Sequence, residues 1–193
     1  MKRVCVYCGS SGGARPSYIQ AARALGRSLV GRGLGLVYGG SNVGLMGALA
    51  DTVLAEGGDV VGIIPEPLVA KEVAHRGLSE LRVVGSMHER KALMAELADS
   101  FIALPGGFGT LEEFCEIVTW IQLGLHRKPC GLLNVEGYYD GLLSFLNHSV
   151  AEGFILPQYR AVVLTDAEAD ALLEKIVSYE APSLHKWIDG DET

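Results

Sequence analysis

Two cations and one carboxylate stand out in this sequence as groups that could do chemistry together. Arg90 and Lys91 fall in the first turns of a predicted helix, in the segment MHERKA. Cations there face the positive end of the helix dipole, which costs a few tenths of a kcal/mol. A bound phosphate, or Glu113 across a cleft, would offset that cost. Two solvated surface cations are equally compatible with the spacing.

Glu113 ends the segment PGGFGTLEE, near the predicted start of another helix. Ser86–Glu89 and Thr110–Glu113 both fit the capping box, in which a hydroxyl and a carboxylate bind the first helix amides. Capping alone would explain Glu89 and Glu113 without catalysis. The dipole at such a position also favours an ionised carboxylate. Glu113 is therefore suited to accept a proton from water or to stabilise positive charge.

Three glycine-rich segments each follow a predicted strand and precede a predicted helix: Gly9–Gly13, Gly39–Gly47 and Pro105–Glu113. Such loops share the carboxyl edge of a parallel sheet, where open α/β folds bind ligands. Glycine lets the backbone approach a ligand, and the following helix offers free N–H groups to an anion. The loops predict a phosphate site, although turn geometry alone also explains glycine there. Candidate contacts in the first two loops are Gly9, Ser10, Gly40 and Gly44.

Other common site chemistries find little support in the sequence. The spacing of Gly40, Gly44 and Gly47 does not fit the dinucleotide fingerprint GxGxxG, and no Lys-Ser/Thr pair follows a glycine loop as it does in P-loop ATPases. No GxSxG elbow is present. Cys5 and Cys8 would point to opposite faces of a strand, and no second pair completes a zinc site. We expect reduced thiols and no metal.

The composition and the net charge favour a single globular domain that does not bind nucleic acid. The chain has 193 residues, of which 49% are hydrophobic and 20% charged, which suits one globular domain over residues 1–193. The net charge of −7 gives no general attraction for nucleic acid, so a small phosphorylated molecule is the expected partner. No apolar run reaches the length of a signal-peptide core or a membrane span, which predicts a cytoplasmic protein without membrane contact.

Short β-rich runs alternate with helical patterns along the chain. This alternation predicts an α/β fold, namely a Rossmann-like doubly wound parallel sheet flanked by helices. The predicted strands are Arg3–Tyr7, Gly35–Tyr38, Val60–Ile64, Arg82–Val84, Phe101–Leu104, Gly131–Leu133 and Ala161–Leu164. The predicted helices are Ser17–Val30, Leu45–Glu56, Met87–Ala98, Leu111–Leu123, Tyr139–Glu152 and Ala167–Val177. A loosely held tail is expected after residue 181.

The predicted helix Leu111–Leu123 is apolar on nearly every side. A helix of this kind is buried on two faces. In a chain this small, one face can cover the sheet while the other contacts a second subunit. The pattern therefore predicts a homodimer.

PGGFGTLEE together with MHERKA resembles the paired PGGxGTxxE and Arg-Lys motifs of the LONELY GUY family, the cytokinin riboside 5′-monophosphate phosphoribohydrolases. Four further segments are similar to that family, so the resemblance covers residues 4–157; they are VCVYCGSSGG, LVYGGSNVGLMG, IIPEPLVAKE and TWIQLGLHRKPCGLLNVEGYYDGLLSF. The resemblance implies a homodimeric hydrolase that needs no cofactor. It would cleave the bond between base and ribose 5-phosphate in cytokinin riboside 5′-monophosphates and AMP.

The resemblance also assigns roles to individual residues. Arg90 and Glu113 would be catalytic. The substrate-binding positions would be Glu72, Arg90, Lys91, Gly106, Gly107, Phe108, Gly109, Thr110, Leu111, Glu112, Glu113 and Thr119.

Two other functions remain open at this point. One is a non-catalytic nucleotide-binding protein, because a fold alone does not specify chemistry. The other is a pyridoxal-phosphate-dependent lysine decarboxylase, a label that similar sequences carry, for which Lys91 is the one lysine in a site motif. The sequence also departs from the family's usual GGGSVGLMG, with Ser41 and Asn42 in GGSNVGLMG. That departure leaves open the shape of the second loop and the preferred base.

Overall fold

A parallel sheet of seven strands forms the centre of the structure, a computed structural model that describes residues 1–69 and 74–182. The strands are β1 (Arg3–Tyr7), β2 (Gly35–Tyr38), β3 (Val60–Pro65), β4 (Glu80–Val84), β5 (Ser100–Ala103), β6 (Cys130–Leu133) and β7 (Val163–Asp166). Their spatial order is β4-β3-β2-β1-β5-β6-β7, and every neighbouring pair is parallel. The predicted doubly wound parallel sheet is confirmed.

Helices connect the strands and cover both faces of the sheet. In chain order they are α1 (Pro16–Gly31), α2 (Gly44–Ala55), α3 (Glu66–Val69), α4 (Met87–Leu97), α5 (Phe108–Leu123), α6 (Asp140–Ala151), α7 (Pro157–Arg160) and α8 (Ala169–Val177), with a 3₁₀ turn at Val135–Gly137. None of the helices in the described ranges combines the length and the apolar character needed to cross a membrane.

The central strand β1 shows why its sequence is apolar without alternation. Val4 and Val6 pack into a core with residues of α1, α2 and α8, whereas Cys5 and Tyr7 pack into a second core with residues of α4 and α5. A strand covered by helices on both faces has no solvent-facing position. Cys8 belongs to the first core and Cys5 to the second, and both thiols are free. Their predicted divergence is confirmed.

The structure corrects several predicted boundaries. Helix α5 begins at Phe108, three positions before the predicted Leu111, and β7 occupies Val163–Asp166 instead of Ala161–Leu164. The shift of β7 follows from α7, which uses the residues just before the predicted strand. The sequence also gave no signal for α3, α7 or the 3₁₀ turn, because elements of three or four residues are too short to show periodicity.

The direction of the strand order reverses between β1 and β5. At such a switch point the loops after the two strands part to opposite faces, which leaves a crevice at the carboxyl edge of the sheet. The two loops that border this crevice are Gly9–Gly13 and Pro105–Gly107. Two sequence predictions lie outside the described residues: Glu72 as a substrate contact, and the loose tail from residue 183 onwards.

Candidate active site

The three glycine-rich segments meet at the crevice between β1 and β5. The Gly9 amide donates to the Pro105 carbonyl at 3.1 Å, and the Leu45 amide donates to the Gly9 carbonyl at 3.1 Å. Gly44 has a φ of +60°, and a Cβ there would lie 2.3 Å from the carbonyl carbon of Ser10. Only glycine therefore allows the first two loops to pack this closely. The sequence-based prediction that the loops share one edge is confirmed.

Helix α5 starts at this edge with its first amides free of any side-chain cap. Gly107 is the N-cap residue, and no side chain caps the helix there. Thr110 is the third residue of α5, so the predicted capping box of Thr110 and Glu113 is wrong. Thr110 instead packs on Gly106, where a Cβ would lie 2.1 Å from the Thr110 Oγ1. The uncapped amides are suited to bind an anion.

The other predicted capping box is present in part at the start of α4, because its carboxylate binds the amide of the residue before the N-cap. Ser86 is the N-cap residue, and its Oγ accepts a hydrogen bond from the Glu89 amide at 3.1 Å. The Glu89 carboxylate accepts from the Gly85 amide at 2.8 Å. This cap fixes the first turn of α4, from which Arg90 and Lys91 project. Glu89 is thus explained by structure alone.

Arg90 and Glu113 form an ion pair that faces the crevice. The Arg90 Nη2 donates to the Glu113 Oε1, and the two side chains are only 11% and 10% exposed. The Arg90 Nε is buried and has no hydrogen-bond partner within the described part of the chain. Arg90 also lies beside Gly39, at the end of β2. Glu113 is therefore the negative group that offsets this cation, as the sequence suggested.

The helix dipole does not favour the ionised form of Glu113 in the way that the sequence predicted. Because α5 begins at Phe108, Glu113 lies beyond the first turn, where the helix dipole acts most strongly. Burial raises the pKa of Glu113 above its ordinary value, and the Arg90 guanidinium limits the rise. A buried carboxylate that is paired with one cation and lines a cavity is a candidate general base.

Lys91 points away from the crevice and towards α5. Its Nζ donates to Glu112, and to Glu116 at 3.0 Å. Desolvation lowers the pKa of Lys91, but the hydrogen bonds to the two carboxylates outweigh it, and the net pKa is raised. Lys91 is therefore a buried, charged link between α4 and α5. A protonated amine held in this way is a poor nucleophile for a Schiff base.

A cavity of about 280 Å³ lies between the loops, α4 and α5. Its lining combines backbone amides of the glycine loops, the ion pair and a small apolar wall, from the residues Val6, Tyr7, Cys8, Gly9, Ser10, Gly39, Met46, Arg90, Met94, Gly107, Phe108, Gly109, Thr110 and Glu113. Burial raises the pKa of the Cys8 thiol well above its usual range, so this thiol stays protonated. Within the described ranges, no group of three or more His, Cys, Asp or Glu side chains could hold a metal ion.

Several predicted site residues lie outside that lining. Leu111 is half-buried, Glu112 is exposed and pairs with Lys91, and the Thr119 hydroxyl donates to the Cys115 carbonyl at 2.7 Å. The lining also lacks Gly40, Gly44 and Gly106, of which Gly106 lines a second cavity. The apolar wall, formed largely by Met46 and Met94, was not foreseen, because helix residues of this type give no signal that separates a cavity from a core.

A family of known sequences and several solved structures are similar to this chain. A sequence model described as "Possible lysine decarboxylase" matches residues 46–176. Among solved structures, the molybdenum cofactor binding protein from the phototrophic bacterium Rippkaea orientalis has 24% sequence identity, a TM-score of 0.70 and coverage of 92% of this chain and 97% of that one. The molybdenum cofactor carrier protein from Chlamydomonas reinhardtii has 18% identity, a TM-score of 0.69 and coverage of 92% and 99%. At such identities these neighbours support the fold.

Curated relatives define the family more narrowly. The probable cytokinin riboside 5′-monophosphate phosphoribohydrolase LOGL9 of Oryza sativa subsp. japonica is 54% identical over 178 residues, which are 92% of this chain and 78% of that protein. The cytokinin riboside 5′-monophosphate phosphoribohydrolase LOG7 of Arabidopsis thaliana is 51% identical over 179 residues, 93% and 82% of the two chains. This chain belongs to the family of cytokinin riboside 5′-monophosphate phosphoribohydrolases.

Proposed function

We propose that this protein is an N-glycosyl hydrolase that cleaves cytokinin riboside 5′-monophosphates into free cytokinin and ribose 5-phosphate. The observation that carries the proposal is the buried ion pair of Arg90 and Glu113, which faces a cavity bordered by the uncapped amides of α5. A carboxylate, a cation and an anion site are the groups that this hydrolysis needs. The curated relatives carry the name of the same activity.

The ion pair supplies the two charges that complement the reaction. Cleavage of an N-glycosidic bond builds oxocarbenium character on the ribose and negative charge on the departing base. Glu113 stabilises the oxocarbenium and orients or deprotonates the attacking water. Arg90 positions the substrate and offsets the charge on the base. Both groups are already fixed by their mutual contact, so little reorganisation is needed during the reaction.

The 5′-phosphate is held by backbone groups. Gly107, Phe108 and Gly109 line the cavity at the start of α5, where the amides are free and the dipole favours an anion. Binding energy from the phosphate, remote from the reacting carbon, then positions the sugar. This explains why a protein of net charge −7 can still prefer a phosphorylated substrate.

AMP fits the same arrangement, because it differs from cytokinin nucleotides only in lacking the N6 substituent. The departures at Ser41 and Asn42 lie in the loop before α2. Ser41 is 6% exposed, and its Oγ accepts from the Val43 amide at 3.4 Å. Ser41 therefore supports the loop from inside, without lining the cavity. We infer that these departures affect substrate preference only through the position of that loop.

The protein acts as a homodimer in this proposal. Helix α6 has one buried residue, Ser149, and its side of the molecule carries Phe145 and Phe154, which are 63% and 88% exposed. On α5, Leu111, Val118 and Trp120 are half-buried. Exposed aromatic residues and a partly covered apolar helix are both typical of a subunit that has an interface. Sedimentation at micromolar concentration tests this, and a monomeric mass would contradict it.

A cytoplasmic location agrees with the cysteines of the chain. Cys5, Cys8, Cys115 and Cys130 are all free. Free thiols are typical of reducing compartments. Fractionation of source cells tests the location, and recovery from a secreted or membrane fraction would contradict it.

Base release from purified protein tests the activity. The protein is incubated with isopentenyladenosine monophosphate and AMP, beside the matching 5′-hydroxyl nucleosides, and free base is quantified by chromatography. Release from the monophosphates alone would support the proposal, and the ratio of the two rates would give the base preference. Saturable nucleotide binding without any base release would identify a binding protein instead.

A further inference from the structure

Two consecutive tyrosines hold the loop that leads into α5. The Tyr138 hydroxyl donates to the Gly106 carbonyl at 2.7 Å, and the Tyr139 hydroxyl donates to the Leu104 carbonyl at 2.6 Å. Both tyrosines lie between β6 and α6, more than 30 positions away along the chain. They therefore connect the second half of the chain to the edge of the active site.

The ring of Tyr138 is itself held by aromatic contacts. Tyr18 lies edge-on to it, with ring centroids 5.6 Å apart, and Tyr139 lies edge-on at 5.0 Å. Tyr139 is fixed in turn, because its amide donates to the Asn134 side chain at 2.6 Å. Such edge-to-face contacts restrict the ring. The Tyr138 hydroxyl is thus placed with little freedom, although the side chain is 42% exposed overall.

The bond from Tyr138 sets the direction of the next peptide group. In a trans peptide the carbonyl and the following N–H point to opposite sides. The Gly106 carbonyl points to Tyr138, in a second cavity of about 310 Å³ that both residues line. The Gly107 N–H therefore points away from Tyr138. Gly107 lines this second cavity as well as the cavity of Arg90 and Glu113, and its N–H has no protein acceptor within residues 1–69 and 74–182.

This peptide needs an external anchor because it joins two glycines. No atom lies within 4 Å of the position that a Cβ on Gly107 would take. Glycine reaches conformations with either sign of φ at similar cost. The plane of a Gly-Gly peptide can therefore rotate by about half a turn, which exchanges the directions of its carbonyl and its N–H. An unanchored peptide would present its carbonyl to the site for part of the time, and a carbonyl oxygen repels an anion.

We propose that Tyr138 is a positioning residue for the 5′-phosphate, whose hydroxyl fixes the Gly106–Gly107 peptide with the Gly107 N–H towards the anion. This inference rests on the proposed hydrolysis of a 5′-monophosphate. Tyr138 does not touch the reacting atoms. Its effect is confined to recognition of the phosphate, so it acts on substrate binding more than on the chemical step.

Kinetics of the Tyr138→Phe variant test this role. Loss of one hydrogen bond to the loop is expected to raise the KM for the monophosphate about fivefold to tenfold and to leave kcat within about twofold. The inhibition constant of ribose 5-phosphate should rise by a similar factor, whereas that of adenine should not change. Tyr18→Phe is the matched control, because it also removes a tyrosine hydroxyl but keeps the ring contact.

Three results would overturn the proposal. The first is a wild-type KM and an unchanged ribose 5-phosphate constant in Tyr138→Phe. The second is equal weakening of ribose 5-phosphate and adenine together with a lower Tm, which would indicate a merely structural role. The third is an equal effect of Tyr18→Phe. If the wild-type protein released no base, the proposed function would fail separately, and calorimetric titration with ribose 5-phosphate would still decide the role of Tyr138.

Discussion

Arg90 on α4 donates a hydrogen bond to the carboxylate of Glu113 on α5, although 23 positions separate the two residues in the chain. Both side chains are about nine-tenths buried. A buried ion pair adds little net stability once desolvation of both charges is counted. The pair lies on the wall of a cavity, beside uncapped helix amides, where the proposed hydrolysis would use it.

Replacement of Glu113 by glutamine should remove most of the activity. The amide keeps the shape of the side chain but cannot accept a proton from water, so kcat should fall about 100-fold or more. Initial rates of base release over a range of substrate concentrations measure this effect. Glu116→Gln on the same helix is the control, since Glu116 pairs with Lys91 and does not line the cavity. Full activity in Glu113→Gln would remove Glu113 from the mechanism.

The ion pair should show strong coupling in a double-mutant cycle. Arg90→Ala or Glu113→Ala each leaves one buried charge without its partner, which should cost about 3 kcal/mol of unfolding free energy. The double variant should lose clearly less than the sum of the two. Urea denaturation gives the three values. The same cycle on Arg15 and Glu136, an exposed pair at 2.8 Å, should show little or no coupling, because solvent screens both charges.

The pH dependence of turnover should report Glu113. Burial raises the pKa of this carboxyl, so the ionised form that acts as base is lost at a higher pH than for an ordinary glutamate. The acid limb of kcat/KM, which reports groups of the ligand-free enzyme, should therefore lie above the usual glutamate range and be absent from the residual activity of Glu113→Gln. A limb at or below the ordinary value would contradict the burial argument.

Gly106→Ala should damage the loop before α5. The new methyl group would lie 2.1 Å from the Thr110 Oγ1 and 2.9 Å from the Gly9 amide nitrogen, so the loop has to shift. We expect a loss of about 1–3 kcal/mol in unfolding free energy and a large loss of activity. Gly31→Ala, at a position with no atom within 4 Å, is the control and should be neutral or slightly stabilising. Equal stability of both variants would show that the loop at Gly106 can shift without a measurable loss of unfolding free energy.

Acid should destabilise the protein partly through His126. Desolvation lowers the pKa of this imidazole to about 4, and its Nε2 donates to the Ile117 carbonyl at 2.9 Å. The unfolded chain takes up the proton near pH 6.5, before the folded protein does, so stability falls as the pH drops from about 6.5 towards 4. Unfolding free energies of His126→Gln should fall less steeply over that interval. Parallel curves for the two proteins would show that another group is responsible.

The sequence predicted the inner strands of the sheet well because they are buried on both faces, whereas the edge strands β4 and β7 are partly exposed and their predicted bounds were wrong. Runs such as VCVY are apolar throughout, which only a strand between two helix layers requires. The contact between Arg90 and Glu113 was one of the alternatives that the sequence offered for a cation placed against a helix dipole, beside a bound phosphate and free solvation.

The partners of Lys91, the cap of α5 and the role of Tyr138 depend on tertiary contacts that the sequence alone does not predict. The partners of Lys91 are Glu112 and Glu116, which are four positions apart and therefore share one face of α5. That spacing could have shown a cation-binding face, but not which cation occupies it. Thr110 fitted a cap by spacing, yet Gly107 is the N-cap residue and the helix begins at Phe108. Tyr138 belongs to no chemical motif, and only the fold brings it to Gly106.

The pairing of β1 with both β2 and β5 has a consequence for how the protein is made. β2 lies close behind β1 in the chain, whereas the register of β1 with β5 joins Val4 to Ser100. During synthesis from the N-terminus, one edge of β1 stays open until β5 has emerged, and an open apolar edge invites aggregation. The crevice that holds Arg90 and Glu113 thus forms in the same event that closes this edge. The nascent chain therefore forms its candidate active site at the same step that covers the open edge of β1.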